Sequence, residues 1–180
     1  MSIQFIIAQI AGLIVLVSDT IGIQFKKKEN IIITKIISSI FFTMQYILLN
    51  AITAAIVCSI EIIRNIWIHF RDKKKQDDVG NKKKSDFIIL LFVVIVVILG
   101  FNTYQNIFSL IPIFSFLLES FMLWQQKTKV IRWFTFLICT IWLIYNIYVG
   151  AYVTVINNVI VLGSTIIAII RHDVKKSVNT

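Results

Sequence analysis

Residues 71–101 read RDKKKQDDVGNKKKSDFIILLFVVIVVILGF, a charged stretch that changes abruptly into an apolar one at Phe87. The charged part, 71–86, has the composition of a solvated linker. The apolar part, 87–101, is short for a transmembrane helix, because crossing a hydrocarbon core of about 30 Å takes about 20 residues. Whether this segment crosses decides the fold, since it sets the side of the membrane on which the rest of the chain lies.

The whole chain has the composition of an integral membrane protein. Its 180 residues are 58% hydrophobic and 15% charged, with a mean hydropathy of +0.86. A soluble domain of this size could not cover so much apolar surface, so lipid must be the solvent. The net charge of +9 lies in short runs between apolar segments. It is a topology signal and a contact with anionic lipid, and nucleic-acid binding is not expected.

Seven apolar segments predict an all-α integral membrane fold. They are 3–25, 31–49, 51–70, 87–101, 106–124, 130–149 and 151–170. Only the fourth is short for a span. The first has no basic residues ahead of it, so we expect a retained helix and not a cleaved signal peptide. Cys58 and Cys139 both lie inside apolar segments, where neither a disulfide framework nor a zinc site is expected.

The basic residues favour seven spans. With seven, the basic connections all share one side of the membrane: Lys26–Lys28, the 71–86 linker, residues 125–132 and the tail from Arg171. The other connections, around Asn50, 102–105 and Gly150, contain no Lys or Arg. The positive-inside rule then predicts the N-terminus outside and the C-terminus in the cytoplasm.

The chain repeats itself at an offset of 100 residues. Equivalent positions carry similar residues: Asp19 and Glu119, Thr20 and Ser120, Lys27 and Lys127, Ala51 and Ala151, Arg71 and Arg171. Each unit reads as span, basic loop, span, tight turn, span. Two units of the same orientation need an odd number of helices between them, which gives a 3+1+3 parallel repeat. The predicted divisions are a first three-helix unit 1–71, a charged cytoplasmic loop with a linker helix 72–104, a second three-helix unit 105–171, and a cytoplasmic tail 172–180.

Several short motifs resemble a known family. They are Ala8-Gln9 with Gly12, Leu48-Leu49-Asn50-Ala51 followed by Ile63-Arg64, Trp142-x-x-Tyr145-Asn146-x-Tyr148-x-Gly150, and Ile169-Ile170-Arg171. Together they resemble the YgjV-type bacterial inner membrane proteins, over most of the chain. That family is distantly similar to the SWEET, semiSWEET and PQ-loop proteins, whose larger members are 3+1+3 bundles. The resemblance implies facilitated movement of a small polar solute, such as a sugar, across the bacterial cytoplasmic membrane.

The same resemblance points to a pocket. SWEET pockets pair an aromatic residue with an Asn sixteen residues later, a pattern that Trp142 and Asn158 keep. The first unit has Phe42 and Cys58 at these positions, so the implied pocket is asymmetric. On the sixth span, Trp142 and Asn146 share a helical face with Gly150. The predicted solute-binding residues are Trp142, Asn146, Asn157, Asn158, Phe42, Gln45 and Cys58. The alternative is that these side chains only pack helices together.

Charged residues inside the apolar segments form a second candidate site, because each is costly there unless it is paired or hydrated. Spacing from the basic loops puts them at similar depth, as an ionic layer near the cytoplasmic side: Asp19, Lys35, Glu61, Arg64 and Glu119. Glu119 has no base in its own unit, so it must face water, cross the bundle to the first unit, or carry a proton. The layer is either a cytoplasmic gate or a static network.

No enzyme is expected, since the chain has no phosphate-binding loop, no HExxH and no His and Cys at metal-ligand spacing. The prediction is therefore a transporter or facilitator that works by alternating access, with the lipid bilayer and a small polar solute as partners and no cofactor or metal. A non-transporting scaffold or accessory protein is the alternative, and homo-oligomerisation stays open. A polar cavity lined by both units would favour transport, and a dry interface would favour the scaffold.

Overall fold

The structure is a computed structural model, and it describes residues 2–25, 28–74, 81–124 and 128–170. Four predicted features lie wholly or partly outside these residues: Lys26 and Lys27, positions 75–80 of the linker, positions 125–127 of the third basic connection, and the tail from Arg171. The described residues form seven α-helices and a short 3₁₀ turn, with no strand among them. The helices are α1 Ile3–Gln24, α2 Lys28–Leu48, α3 Ile52–Lys74, α4 Asn81–Asn102, α5 Leu110–Trp124, α6 Thr128–Val149 and α7 Tyr152–Ile169, and the 3₁₀ turn Ile107–Ser109 precedes α5.

Each predicted apolar segment forms a helix, but their apolar lengths differ from expectation. Four helices contain an apolar stretch long enough to cross a membrane, within Ile3–Ile21, Ile52–Phe70, Arg132–Val149 and Tyr152–Ile169. The stretches Ile32–Leu48, Phe87–Asn102 and Ile107–Met122 are shorter. The sequence predicted only the fourth to be short. The second is shortened by polar residues at the start of α2, and the fifth by the polar 102–106 connection.

The helix surface agrees with a lipid surrounding. Large apolar side chains point outward along the bundle, among them Ile10, Ile47, Leu91, Ile147 and Ile167, each at least half exposed. The most completely buried positions include polar ones, such as Gln45, Asn146 and Thr154. Apolar outside and polar inside is the arrangement of a multi-pass membrane protein.

Two tight turns show the 100-residue periodicity in the backbone. Asn50 ends α2 with φ 57°, and Gly150 ends α6 with φ 76°. The amide of Ala51 donates to the carbonyl of Tyr46 at 2.8 Å, and that of Ala151 donates to the carbonyl of Asn146 at 2.9 Å. These are the hydrogen bonds of a helix that stops on a left-handed residue, a conformation that Gly and Asn adopt at little cost.

The helices close into a ring. Neighbours along it are α1, α2, α3, α5, α6 and α7, and α7 returns to pack against α1. Helix α4 packs against both α3 and α5, at the junction of the two halves of the chain. The ring brings residues of the first and second halves face to face around a shared interior.

Candidate functional site

A cavity of about 580 Å³ occupies the interior of the ring. Of the twelve predicted site residues, eleven line it: Asp19, Lys35, Phe42, Cys58, Glu61, Arg64, Glu119, Trp142, Asn146, Asn157 and Asn158. On α2 the lining runs from Ile32 to Tyr46, a rise of about 21 Å at 1.5 Å per residue. One end of the cavity is at Tyr46 and Asn146. The other end lies near the helix ends that adjoin the basic connections.

Three aromatic rings form the closed end of the cavity, which we call the aromatic floor: Phe42, Tyr46 and Trp142. The ring of Tyr46 lies between the other two, nearly parallel to both, with centroids 5.9 Å from Phe42 and 5.8 Å from Trp142. Tyr46 is fully buried and donates its phenolic O–H to Asn146 Oδ1 at 2.8 Å. Sequence reasoning missed Tyr46, although the 100-residue offset makes it the equivalent of Asn146.

Behind the floor the bundle is tightly closed by two glutamines. Gln45 accepts a hydrogen bond from Thr154 Oγ1 at 2.7 Å, and it packs against Gly12. Gln9 donates to the carbonyl of Gly150 at 2.9 Å and accepts from the amide of Val153 at 3.2 Å. Gln45 was predicted to bind solute, but it is not part of the cavity lining, because its fully buried side chain is bonded to Thr154 of α7 behind the floor.

Arg64 and Glu119 form an ion pair across the two halves of the chain. Arg64 Nη2 lies 2.7 Å from Glu119 Oε2, and Nη1 donates to Ser120 Oγ at 3.3 Å. The guanidinium carbon also lies 4.5 Å from the centroid of the Phe116 ring. Among the alternatives predicted for Glu119, the structure shows the one in which its side chain crosses the bundle to a base in the first half of the chain. The Arg64 side chain is 4% exposed and that of Glu119 is 25% exposed, toward the cavity that both line.

Asp19 belongs to a separate polar cluster and not to one continuous ionic layer. Its two carboxylate oxygens accept hydrogen bonds from Ser38 Oγ at 2.6 Å and Asn157 Nδ2 at 2.8 Å. The cluster therefore joins α1, α2 and α7 on the cavity wall opposite Arg64. Lys35 lines the wall between them and is exposed to the cavity.

Glu61 lies near Arg64, the residue that forms the ion pair with Glu119. Both carboxyl groups line the cavity, and the charge of Arg64 acts on each of them. Neighbouring carboxyl groups repel each other when both are ionised, and a proton on one of them or a nearby cation relieves that repulsion.

Two donors that line the cavity have no hydrogen-bond partner among the described residues: Asn158 Nδ2 and Arg64 Nε. Asn158 is 7% exposed and Arg64 is 3% exposed. A buried polar atom without a partner costs free energy, which a bound polar group can recover. In the described part of the chain no group of three His, Cys, Asp or Glu side chains could hold a metal ion.

Comparison with known proteins assigns the chain to a family. A model of the Imp-YgjV family, described as bacterial inner membrane protein, matches residues 6–176. No curated protein and no solved structure matches the chain. With its apolar helices and outward-facing apolar side chains, the chain belongs to the Imp-YgjV family and is a multi-pass protein of the bacterial inner membrane.

Proposed function

We propose that this protein moves a small polar solute across the inner membrane by alternating access. The observation that carries the proposal is the cavity, whose lining includes charged and amide side chains among apolar ones and comes from both halves of the chain. Its volume of about 580 Å³ lies within the range of small-molecule sites. A scaffold that only held its helices together would be packed side chain to side chain here, as membrane interiors otherwise are.

The proposal takes the chain as a seven-span, 3+1+3 parallel repeat. In its support, α2 and α6 begin at Lys28 and Thr128, and α3 and α7 begin at Ile52 and Tyr152, each pair 100 residues apart. The two left-handed turns at Asn50 and Gly150 keep the same offset. The unit boundaries 1–71 and 105–171, the outside N-terminus and the kinship with SWEET-like proteins remain part of the proposal.

In this proposal the cavity opens toward the basic, cytoplasmic side and is closed on the other. The closing contacts join α2 with α6 and α1 or α2 with α7: Tyr46 with Asn146, Gln9 with Gly150, and Gln45 with Thr154. On the opposite seam, α3 and α5 are joined by Arg64 and Glu119. Rocking the halves about the Arg64 seam would separate the closing contacts and open the floor outward.

The experiment is solute uptake into proteoliposomes, with and without a proton gradient. The panel contains neutral sugars and polyols, amines, zwitterions and anions of similar size. We expect at least one class to enter faster than in protein-free liposomes.

A matched pair of variants distinguishes transport through the cavity from leakage at the protein surface. Ser39 is buried and lines the cavity, whereas its neighbour Ile40 faces outward and is 49% exposed. Ser39→Phe should abolish uptake, and Ile40→Phe should leave it unchanged. If a folded, reconstituted protein moves no solute class, the scaffold is the better account.

A further inference from the structure

Resting on the proposed function, we infer that the solute is a small amine, whose ammonium group binds between Glu61 and the aromatic floor. The described cavity lining has one more acidic than basic side chain, and one of the acids, Glu61, lies close to aromatic rings. Each of these features can be read from the described residues.

The charges on the cavity wall do not balance. Its described lining contains three acids and two bases: Asp19, Glu61, Glu119, Lys35 and Arg64. Arg64 forms its ion pair with Glu119, and Lys35 lies near both Glu61 and Asp19, so three acids share two bases. Without a proton the wall would hold one uncompensated negative charge, which is costly at this depth, so the site favours a cation from outside the protein.

Glu61 lies one helical turn from the aromatic floor. It shares a face of α3 with Cys58, three residues earlier, and both line the cavity. Cys58 is buried in a cluster with Tyr46 and Tyr145, against which Phe42 and Trp142 also pack. Three residues of helix rise about 4.5 Å, so a group resting on the floor lies within reach of the Glu61 carboxyl.

The floor offers ring surface as well as shape. Phe42 and Trp142 are half-buried and line the cavity. A cation over an aromatic face gains electrostatic attraction, most strongly when water is excluded. The same wall already contains one such contact, between Arg64 and Phe116. A carboxylate beside aromatic rings recognises an ammonium group better than it recognises a neutral hydroxyl.

The rest of the ligand should carry an oxygen acceptor. Asn158 Nδ2, which is buried and has no partner among the described residues, lines the same cavity on α7. A hydroxyl or carboxylate oxygen would accept its hydrogen bond. Amino alcohols and zwitterionic amino acids both have this chemistry, and sugars without an amine lack the cation.

Ammonium binding should displace a proton. Two neighbouring carboxylates repel each other, so we expect the empty site to hold one proton between Glu61 and Glu119. A bound ammonium group would take its place, and the proton would pass to water. The titratable groups that face this pair are Lys35 and Tyr46 on α2, Cys58 and Arg64 on α3, and Cys139 on α6. The described lining from α7 and α4 is uncharged there: Asn157, Asn158, Val161 and Ile89.

The test measures binding and proton release on the purified full-length protein in detergent. Ethanolamine, glycine and glycerol are probes of similar size that represent an amino alcohol, a zwitterion and a neutral polyol. We expect an amine to bind at least about tenfold more tightly than glycerol, as an added charged contact would give. Its binding should release a proton, detected with an indicator dye in weak buffer. Tighter binding of ethanolamine than of glycine would point to an amino alcohol as the ligand, and tighter binding of glycine would point to an amino acid.

Variants on α3 assign the effect to Glu61. Glu61→Gln should weaken amine binding about tenfold or more and abolish proton release, while glycerol binding stays the same. Ser59→Ala is the matched control, since Ser59 Oγ bonds only within its helix, to the Ala55 carbonyl at 2.8 Å, and lies off the described cavity lining. Should Glu61→Gln not fold, Glu61→Asp keeps the charge and should retain amine preference at reduced affinity.

The outcomes separate this inference from the proposed function. Equal binding of amine and glycerol, or full amine binding by folded Glu61→Gln, would overturn the inference. If neutral solutes were then taken up in the liposome assay, transport would stand without amine specificity. If no solute of any class were taken up, the proposed function itself would fail.

Discussion

Tyr46 and Asn146 lie 100 residues apart in the sequence and bond to each other: the phenolic O–H of Tyr46 donates to Asn146 Oδ1 at 2.8 Å. Both side chains are at most 1% exposed. The carbonyl of each residue also accepts the hydrogen bond that ends its own helix, from the amide of Ala51 in one case and of Ala151 in the other. The contact thus joins the two halves at the aromatic floor, where the cavity stops.

Tyr46→Phe should weaken the contact between the two halves at this closed end while keeping the aromatic ring in place. The ring stays, but Asn146 Oδ1 loses its donor, at a cost of about 0.6 kcal/mol on average for such a bond in a membrane and up to about 1.7 kcal/mol. Cys58 packs against the same cluster and is 2% exposed. In a Cys139→Ser background, we expect a small hydrophilic thiol reagent to modify Cys58 faster in Tyr46→Phe.

Tyr145→Phe is the control for that experiment. Tyr145 packs edge-on against Tyr46, and its hydroxyl has no hydrogen-bond partner within the described residues. Its loss should leave the labelling rate of Cys58 unchanged. Equal rates in all three proteins, by mass spectrometry over a time course, would mean that the Tyr46 bond does not close the floor.

Much of the fold and of the cavity lining could be predicted because lipid leaves few choices. Apolar runs must be helices, and charged or amide side chains such as Glu61 and Asn158 must turn inward. What the sequence could not give was the rotation of each helix. Gln45 and Tyr46 are adjacent, so about 100° of helical rotation separates them, and only Tyr46 meets the cavity. The partner of Glu119 was likewise open, because it depends on how α3 and α5 meet.

The turn at Gly150 should accept Asn and reject a β-branched residue. Its φ of 76° is left-handed, and Asn50 adopts a φ of 57° at the equivalent turn. A non-glycine residue pays about 1–2 kcal/mol there, and Asn less because its side chain bonds locally. Gly150→Val should lower the unfolding temperature in detergent clearly, and Gly150→Asn little. Similar unfolding temperatures for both variants would show that this turn is not constrained.

Gly12 should be intolerant of a methyl group, and Gly163 should not. A Cβ at Gly12 would lie 2.7 Å from Gln45 Nε2 and 3.2 Å from Thr154 Oγ1. These two side chains are already held together, because Thr154 Oγ1 donates to Gln45 Oε1 at 2.7 Å. Gly12→Ala should therefore destabilise by about 1–3 kcal/mol through overpacking.

Gly163 is the matched control, because a Cβ there meets nothing within 4 Å. Gly163→Ala in the middle of α7 should leave the unfolding temperature unchanged or raise it slightly. The measurement is the unfolding temperature, monitored as the loss of the protein's size-exclusion peak after heating. Equal temperatures for the two variants would argue against close contact of α1, α2 and α7.

The Arg64 and Glu119 pair should show strong coupling. Arg64→Ala leaves Glu119 without its ion-pair partner, and breaking a buried pair from one side costs about 3–5 kcal/mol. Arg64→Lys keeps the charge but loses the fork that reaches both Glu119 and Ser120, so it should be intermediate. Arg64→Leu with Glu119→Leu should unfold at a higher temperature than Arg64→Leu alone. A double variant that shows the sum of the two single losses would mean that the residues do not interact.

Reactivity of Cys139 should reveal which side the cavity faces. Cys139 is half-buried and lines the cavity, whereas Cys58 is buried. If the basic side is cytoplasmic, a membrane-impermeant thiol reagent should modify Cys139 in inside-out vesicles and not in intact spheroplasts. Cys139→Ser gives the background, and Ser39→Phe, which fills the cavity, should slow the reaction. Modification in spheroplasts alone would reverse the proposed topology, because the cavity would then open to the outside and the closing contacts of Tyr46 and Gln45 would lie on the cytoplasmic side.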